Sequence, residues 1–442
     1  FRERVPVHDY DSIYDKWWHK MTAGKANVCW PGQVKYFALS SGTTGAASKY
    51  IPVSKQMIKA VRRTSMKQIF SMVNFDLPHT SLDRSILMVG GTTSLAAKNG
   101  CLFGDMSGIT ATGSLPNWFI LQYYKPGNQI ASIKDWNERL DKIVEKAPEW
   151  DIGIICGIPA WVQLALEKII EKYNLKNIHE LWPNLTVYIH GGVAFEPYKE
   201  GFKKLMGKPI MFSETYMASE GFFGFKSTPK SRGISMVLNG RIFFEFVPFN
   251  EEYFDEAGNI LPGVKTLTID KIEEGIDYAV LLTNCSGAWR YMIGDTIRFV
   301  SKRNSEFVVT GRIKHFLSIT GEHLSVGNMN DGIKEISDEL GISVREFTVA
   351  GKTYESLFAH HWYIGTDDTV DPAIFKQKLD NALCRLNDDY RTARKSTLPE
   401  IFVKVIPSSI FYDWMRANGK EGGMNKFPRV LTGDKLADWE NY

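Results

Sequence analysis

Residues 40–49 read Ser-Ser-Gly-Thr-Thr-Gly-Ala-Ala-Ser-Lys and follow directly on the apolar run Tyr36-Phe-Ala-Leu39. Glycines let backbone N–H groups approach a ligand, the hydroxyls add donors, and Lys49 adds charge, so the string has the makings of a polyphosphate-binding loop. It is not a Walker A loop. That motif ends in Gly-Lys-Ser/Thr after four spacer residues, a string absent here, which points away from P-loop kinases and GTPases. Taken alone, the same residues also suit a solvated turn.

Four further strings bear on that choice: Tyr216-Met-Ala-Ser-Glu220, Tyr291-Met-Ile-Gly-Asp295, Gly311-Arg-Ile-Lys314 and Asn425-Lys-Phe-Pro-Arg429. In this order the set resembles the adenylate-forming superfamily of acyl and aryl ligases. Phe37-Ala-Leu-Ser-Ser-Gly-Thr-Thr-Gly45, Ser48-Lys-Tyr-Ile-Pro-Val53, Tyr216 through Phe225 and Lys426-Phe-Pro-Arg429 resemble one branch of it. That branch is the acyl-acid amido synthetases, the family of the plant auxin- and jasmonate-conjugating enzymes and their bacterial relatives. The resemblance runs along essentially the whole chain. It departs at the front, where the chain opens at Phe1 and the family carries more sequence, so further N-terminal structure is expected.

The resemblance implies an α/β fold: a large N-terminal nucleotide- and acid-binding domain over 1–312, with mixed and parallel sheets and a β-rich part, and a small mobile α+β domain over 313–442. It implies ATP and Mg²⁺ as cofactors, and small carboxylic acid and amino acid substrates. When a carboxylate attacks the α-phosphate and pyrophosphate leaves, charge builds on both oxygen groups, and fixed donors and a cation must meet it. The resemblance gives the β- and γ-phosphates to Ser40, Ser41, Gly42, Thr43 and Thr44. Glu220 suits Mg²⁺, a hard cation that takes carboxylate oxygen and keeps waters and phosphate as its other ligands. Asp295 suits the ribose diol, because a carboxylate accepts the two hydrogen bonds that a diol offers. Arg312 reaches the same sugar. Tyr216 flanks adenine, Gly191 and Gly192 let the base near the backbone, and Ser219 completes the nucleotide contacts. Lys426 is the adenylation lysine, carried on the loop Gly422-Gly-Met-Asn-Lys426 so that it can neutralise developing charge and then withdraw. Without the matching strings, Glu220 reads as a surface carboxylate, Asp295 as a turn residue, Tyr216 as core and Lys426 as a solvated lysine. His190, His315 and His323 flank motifs but read as structural. The resemblance places the acid pocket beside the helix at 54–73 and the segments Met88–Ser94 and Gly104–Gly108, with Arg62 and Arg63 nearby but not assigned.

The elements that must position these residues show in the hydrophobic pattern. Ile152–Cys156, Thr186–Ile189 and Pro209–Phe212 are short apolar runs separated by helical spacing over 160–173 and 197–205. Strand, helix, strand, helix, strand predicts a parallel sheet, whose ligands bind beyond the carboxyl ends of the strands. Those ends are Gly157–Pro159, His190–Gly192 and Ser213–Glu220. A helix capped by Ser54 and running to about Val73 is expected to put Met57, Ile58, Val61 and Met66 on its apolar side. From Ile242 to Val309 the pattern is β-rich. After Arg312 come a helix over 328–340, strands near 344–349 and 357–364, a helix over 373–387 and a strand over 401–405. The domain boundary falls at Gly311–Arg312, and Lys314 stands where the superfamily keeps its hinge residue.

Composition fits an ordinary globular enzyme. At 442 residues, with 44% hydrophobic and 13% aromatic residues, the chain has room for about three domains by length. Lys and Arg number 53 against 50 Asp and Glu, and the resulting +3 is too balanced for a nucleic-acid or membrane surface. No apolar run reaches membrane-spanning length, and no basic-then-apolar leader is expected ahead of the fold. Five cysteines with no CxxC pair predict reduced thiols, no metal site and a cytoplasmic location. The reading is an ATP-dependent ligase that forms acyl-AMP and passes the acyl group to an amino acid amine. Coenzyme A as the acceptor, or a non-catalytic nucleotide-binding regulator of the same fold, are the alternatives. The acid, the amine and the oligomeric state are not legible.

Overall fold

A computed structural model of the chain describes residues 1–40, 49–78, 83–111, 123–193, 195, 198–250, 252–255, 258–313, 316–317, 322, 324–354, 357–394, 398–420, 422 and 425–442. The run from Ile152 to Phe212 folds largely as its pattern predicts, except that the third strand starts at Met211 and runs to Ala218, so Ser213–Ala218 lie within the strand and only Ser219 and Glu220 beyond its end. Ile152–Gly157, Val187–Gly191 and Met211–Ala218 are neighbouring parallel strands, linked by the helices Pro159–Lys172 and Lys199–Leu205. Their residues are apolar on both faces, as a sheet covered on both sides requires: Ile152, Ile154, Ile155, Val187, Tyr188 and Ile189 are all buried.

Ser85–Val89 and Tyr124–Lys125 extend the parallel run beyond Ile152–Gly157. On the other side of Met211–Ala218 the same sheet turns antiparallel through Gly221–Phe225, Ile234–Met236, Glu306–Arg312, Tyr291–Ser301, Asp277–Asn284 and Ile242–Pro248. Among the described residues the sheet has eleven strands. It brings the strand ends of a parallel half up against the antiparallel hairpins that carry Asp295 and Arg312.

A second, four-stranded sheet pairs Tyr36–Ser40 with Lys49–Val53 on one side and Cys101–Gly104 on the other. The register sets Ser40 opposite Lys49, so both ends of the glycine–hydroxyl string are held side by side. The helix Lys55–Ser71 starts where predicted: Ser54 accepts from the Met57 N–H, and its own hydroxyl donates 2.7 Å to the Cys285 carbonyl. Met57, Ile58 and Val61 are buried, but Met66 is 40% exposed and Thr64 and Gln68 take its place inside. The correction is geometric. At about 100° per residue, nine residues from Met57 is half a turn out of phase, whereas 57, 61, 64 and 68 share one face.

Past Arg312, a three-stranded sheet of Val344–Tyr354, Leu357–Thr366 and Glu400–Ile406 is built on different partners. Period-2 alternation divides its faces. Phe347, Val349, Trp362 and Ile364 pack with the helices Val326–Leu340 and Pro372–Leu386. Ala350 and Tyr363 instead face a cluster that contains Phe411, Trp414, Phe427 and Trp439 together with Trp161, Phe202 and Tyr188 of the large sheet's helices and strands. The two sheets are therefore joined through one aromatic-rich core. No helix of the described residues is long and apolar enough to cross a membrane.

Candidate active site

Antiparallel pairing places Asp295 and Arg312 as direct partners on adjacent strands. The Arg312 Nε donates to Asp295 Oδ1 at 2.6 Å, and the Tyr216 hydroxyl, arriving from Met211–Ala218, donates to Oδ2. Burial pushes the Asp295 carboxyl up, but the Arg312 guanidinium and the two hydrogen bonds outweigh it and hold the group below the usual carboxylate range. Asp295 is thus an anion over the whole working range. Each of its oxygens keeps one lone pair free of these two donors.

Glu220 lies in the tight connection between Met211–Ala218 and Gly221–Phe225, where Asn284 Nδ2 donates 2.9 Å to the Glu220 carbonyl. Its side chain is buried. Burial and the nearby Asp295 charge push its carboxyl up to about 7, with Arg312 and Lys49 pulling the other way. A buried carboxylate with so little local compensation is poorly served by this chain alone, and a hard divalent cation is the kind of group it fits. Among the described residues no three His, Cys, Asp or Glu side chains converge as a ready-made metal cluster. A cation at Glu220 would therefore take its remaining ligands from phosphate and water.

Lys426 reaches this place from the far end of the chain. A Cβ added to Gly192, at the end of Val187–Gly191, would lie 3.2 Å from Lys426 Cε and 3.3 Å from its Nζ. Gly192 also has φ +86, a conformation that costs an L side chain. Lys426 is exposed, yet protein atoms crowd its ammonium. That loss of water, and the Arg312 and Arg429 charges, lower its ammonium to about 8 against the opposing pull of Asp295. Its loop is pinned at several points. Gly422 lies so flat on Trp136 that a Cβ would come within 2.1 Å of the ring, and the Trp161 Nε1 donates 3.0 Å to the Asn425 carbonyl. Phe427 is buried between Phe411, Trp414 and Trp439, and Arg429 Nη1 donates 2.6 Å to Glu346 Oε2.

The structure thus brings together Glu220, Tyr216, Asp295, Arg312, Gly191, Gly192 and Lys426. Ser219 lies in the same connection as Glu220. Ser40 ends its strand opposite Lys49, while Ser41, Gly42, Thr43 and Thr44 lie outside the described residues, as do Lys314, His315 and His323. The Tyr216 hydroxyl is engaged with Asp295, and its ring packs edge-on to Phe223 and Phe307. His190 is buried, stacked on Phe195, and burial lowers it to about 3, so it stays neutral. The two glycine-bearing segments near the expected acid pocket do meet: the Gly91 N–H donates 3.1 Å to Ser107 Oγ, and Arg62 Nη2 donates 3.2 Å to the Thr110 carbonyl. Sequence reasoning passed over Trp161 and Glu346. Glu346 carried a signal, being an acidic residue inside the apolar strand pattern Val344 to Val349.

A mixed sheet whose parallel strand end at Gly192 meets a lysine from a small α+β unit is the arrangement of an adenylate-forming fold. Family models described as the GH3 family N-terminal, central and C-terminal domains match residues 1–143, 235–312 and 328–435 in turn, and the chain belongs to this family. It is 25% identical over 317 residues to the indole-3-acetic acid-amido synthetase GH3.4 of Arabidopsis thaliana, covering 66% of this chain and 49% of that one. It is 29% identical over 137 residues to the jasmonoyl–L-amino acid synthetase GH3.5 of Oryza sativa subsp. japonica, covering 29% and 23%. Across three plant indole-3-acetic acid-amido synthetases the chain spans 42% to 62% of their lengths. In three dimensions it resembles the GH3.15 acyl acid amido synthetase with a TM-score of 0.75 at 16% identity, over 100% of this chain and 87% of the other. It also resembles a 2-hydroxyisobutyryl-CoA ligase at 0.62 and 11% identity, over 100% and 82%.

Proposed function

We propose that this chain is an ATP-dependent acyl-acid amido synthetase, which converts a small carboxylic acid to acyl-AMP and pyrophosphate and then passes the acyl group to the amine of an amino acid. One observation carries the reading: a lysine from beyond residue 400 lies against Gly192, at a parallel strand end, within the electrostatic reach of the Asp295–Arg312 pair. Membership of a family whose plant members are named amido synthetases supports the acceptor.

In this reading the free lone pairs of Asp295 accept the ribose hydroxyls, while Arg312 and Tyr216 hold that carboxylate in one orientation. Gly191 and Gly192 leave the strand end open to the base, flanked by Tyr216. Lys426 supplies a positive charge where negative charge develops as pyrophosphate leaves. Mg²⁺ would be held by Glu220 together with the nucleotide's phosphates and would supply charge neutralisation there. Residues 40–44 and Lys49 give the loop toward the β- and γ-phosphates. We assign the acid to the region between the helix Lys55–Ser71 and the segments Met88–Ser94 and Gly104–Gly108. We divide the chain at 312/313 into a large domain and a mobile small one, whose rotation would withdraw Lys426 and admit the amine. The odd count of five cysteines without a CxxC pair supports a reducing, cytoplasmic setting.

The test is a panel of acids read by ATP-dependent pyrophosphate release, followed by an acceptor screen. Amide product with amino acids supports the reading. Thioester product with coenzyme A would replace it with the ligase alternative, and nucleotide binding without pyrophosphate release from any acid would replace it with a regulator.

A further inference from the structure

Glu346 has two carboxylate oxygens and uses them in opposite directions. Oε2 accepts from Arg429 Nη1 at 2.6 Å, within the small unit and three residues from Lys426. Oε1 accepts from the hydroxyl of Tyr198 at 2.9 Å, and Tyr198 directly precedes the helix Lys199–Leu205 of the large unit. Arg429 is fixed further by a 3.0 Å donation to the Phe347 carbonyl and by stacking 4.3 Å over the Phe347 ring. Its own carbonyl and the N–H of Leu431 pair with Val349. The Lys426 loop is therefore rigid with respect to the strand Val344–Tyr354, and that strand is tied to the large unit through the Tyr198 hydroxyl. All three polar groups converge on one cavity, which Ile158, Trp161, Asn425 and Lys426 also line.

We propose that Tyr198 is a positioning residue for adenylation: through Glu346 and Arg429 it latches the small unit in the pose that sets Lys426 against Gly192. The proposal rests on the amido synthetase reading for its effect on rate, and on geometry alone for the latch. Rotation of the small unit has to break the Tyr198–Glu346 bond, so the bond favours the first half-reaction and opposes entry into the second. A tyrosine ring needed only as core filling would be served equally by phenylalanine. The hydroxyl, buried and aimed at a carboxylate of the other unit, is what a latch requires.

The test uses Tyr198→Phe in the intact chain, with two readouts. In single-turnover assays, acyl-AMP formation is expected to fall about three- to tenfold, the scale of one net hydrogen bond. Amide formation from supplied acyl-AMP is expected to stay at the wild-type rate or rise. The second readout needs no activity: zero-length carbodiimide coupling of exposed Lys204 to half-buried Asp368, a pair 3.2 Å apart that spans the two units. Its yield is expected to fall while the Lys203–Glu200 cross-link, inside one helix, holds steady as the control. An unchanged Lys204–Asp368 yield overturns the latch whatever the rates do, and so does an equal loss in both half-reactions. If the wild-type chain releases no pyrophosphate with any acid, the amido synthetase reading fails, and the cross-link ratio still decides the latch by itself.

Discussion

Lys426 and Gly192 are separated by more than half the chain, yet a β-carbon on Gly192 would sit 3.2 Å from Lys426 Cε. The glycine has two reasons to be there. Its φ of +86 suits few other residues, and its missing side chain is the space the lysine occupies. Gly192→Ala should therefore slow acyl-AMP formation by about tenfold or more, the scale on which a small misplacement of a reacting group costs rate. Because Gly192 also borders the place proposed for the base, nucleotide-induced stabilisation in a melting series should fall as well, but by less than the rate. A loss confined to nucleotide binding would mean that Gly192 shapes the base pocket and not the place of the lysine.

Asp295 accepts from Arg312 and Tyr216 and is held ionised by them. Asp295→Asn keeps the shape and removes the charge, so ribose hydrogen bonds worth about 1.5–3 kcal/mol to a charged acceptor should weaken. ATP affinity should fall about tenfold or more, measured by calorimetry. Equal affinity in the variant would take the ribose away from this carboxylate.

Glu220 makes a prediction about pH. Its carboxyl is raised to about 7, so between about pH 4.5 and 7 the folded chain holds a proton that the unfolded chain has released. Stability attributable to this residue is then lost as pH rises through that window, by about 2–4 kcal/mol in all. Glu220→Gln should abolish that component and be more stable than wild type at pH 8 without nucleotide. A cation at this carboxylate competes with the proton, so the thermal shift caused by Mg²⁺ with ATP should grow from pH 6 to pH 8 in wild type and lose that trend in Glu220→Gln. A pH-independent shift in wild type would remove the metal from Glu220.

Ser54 joins the helix Lys55–Ser71 to the turn at Cys285, capping the one and donating to the other. Ser54→Ala should cost about 1–2 kcal/mol in urea unfolding, a cap together with a buried bond. A change below about 0.3 kcal/mol would mean that the helix start is held by Met57 and its neighbours alone.

Much of this arrangement was legible before any coordinates. The parallel run from Ile152 to Phe212 announced itself through short apolar strands and the helical spacing between them, because both faces of those strands are buried. The helix at Ser54 was legible from its cap and spacing, though Met66 was assigned to the wrong face by counting apolar type over phase. Among the longer helices, Trp136–Lys146, Ser408–Ala417 and Gly433–Asn441 passed unread. Each buries one to five residues against an aromatic core that residues far apart in sequence build jointly, so its apolar stripe has meaning only once that core exists. Asp295 and Arg312 were named separately for the sugar. Their pairing came from strand register across a bulged hairpin, which residue types do not encode. Glu346 and Tyr198 share the same limit, since a carboxylate that bridges two units shows in the sequence only as an oddly placed acid.

The central claim is that Lys426 serves one half-reaction only, from a unit that must move before the other. Lys426→Ala, assayed by single turnover, separates the steps. The account predicts that acyl-AMP formation falls about 10²-fold or more, the scale of losing one oriented charge at a transition state, while amide formation from supplied acyl-AMP stays within about twofold of wild type. Equal losses in both steps would contradict it and would make the lysine a structural residue of a chain whose two units do not alternate.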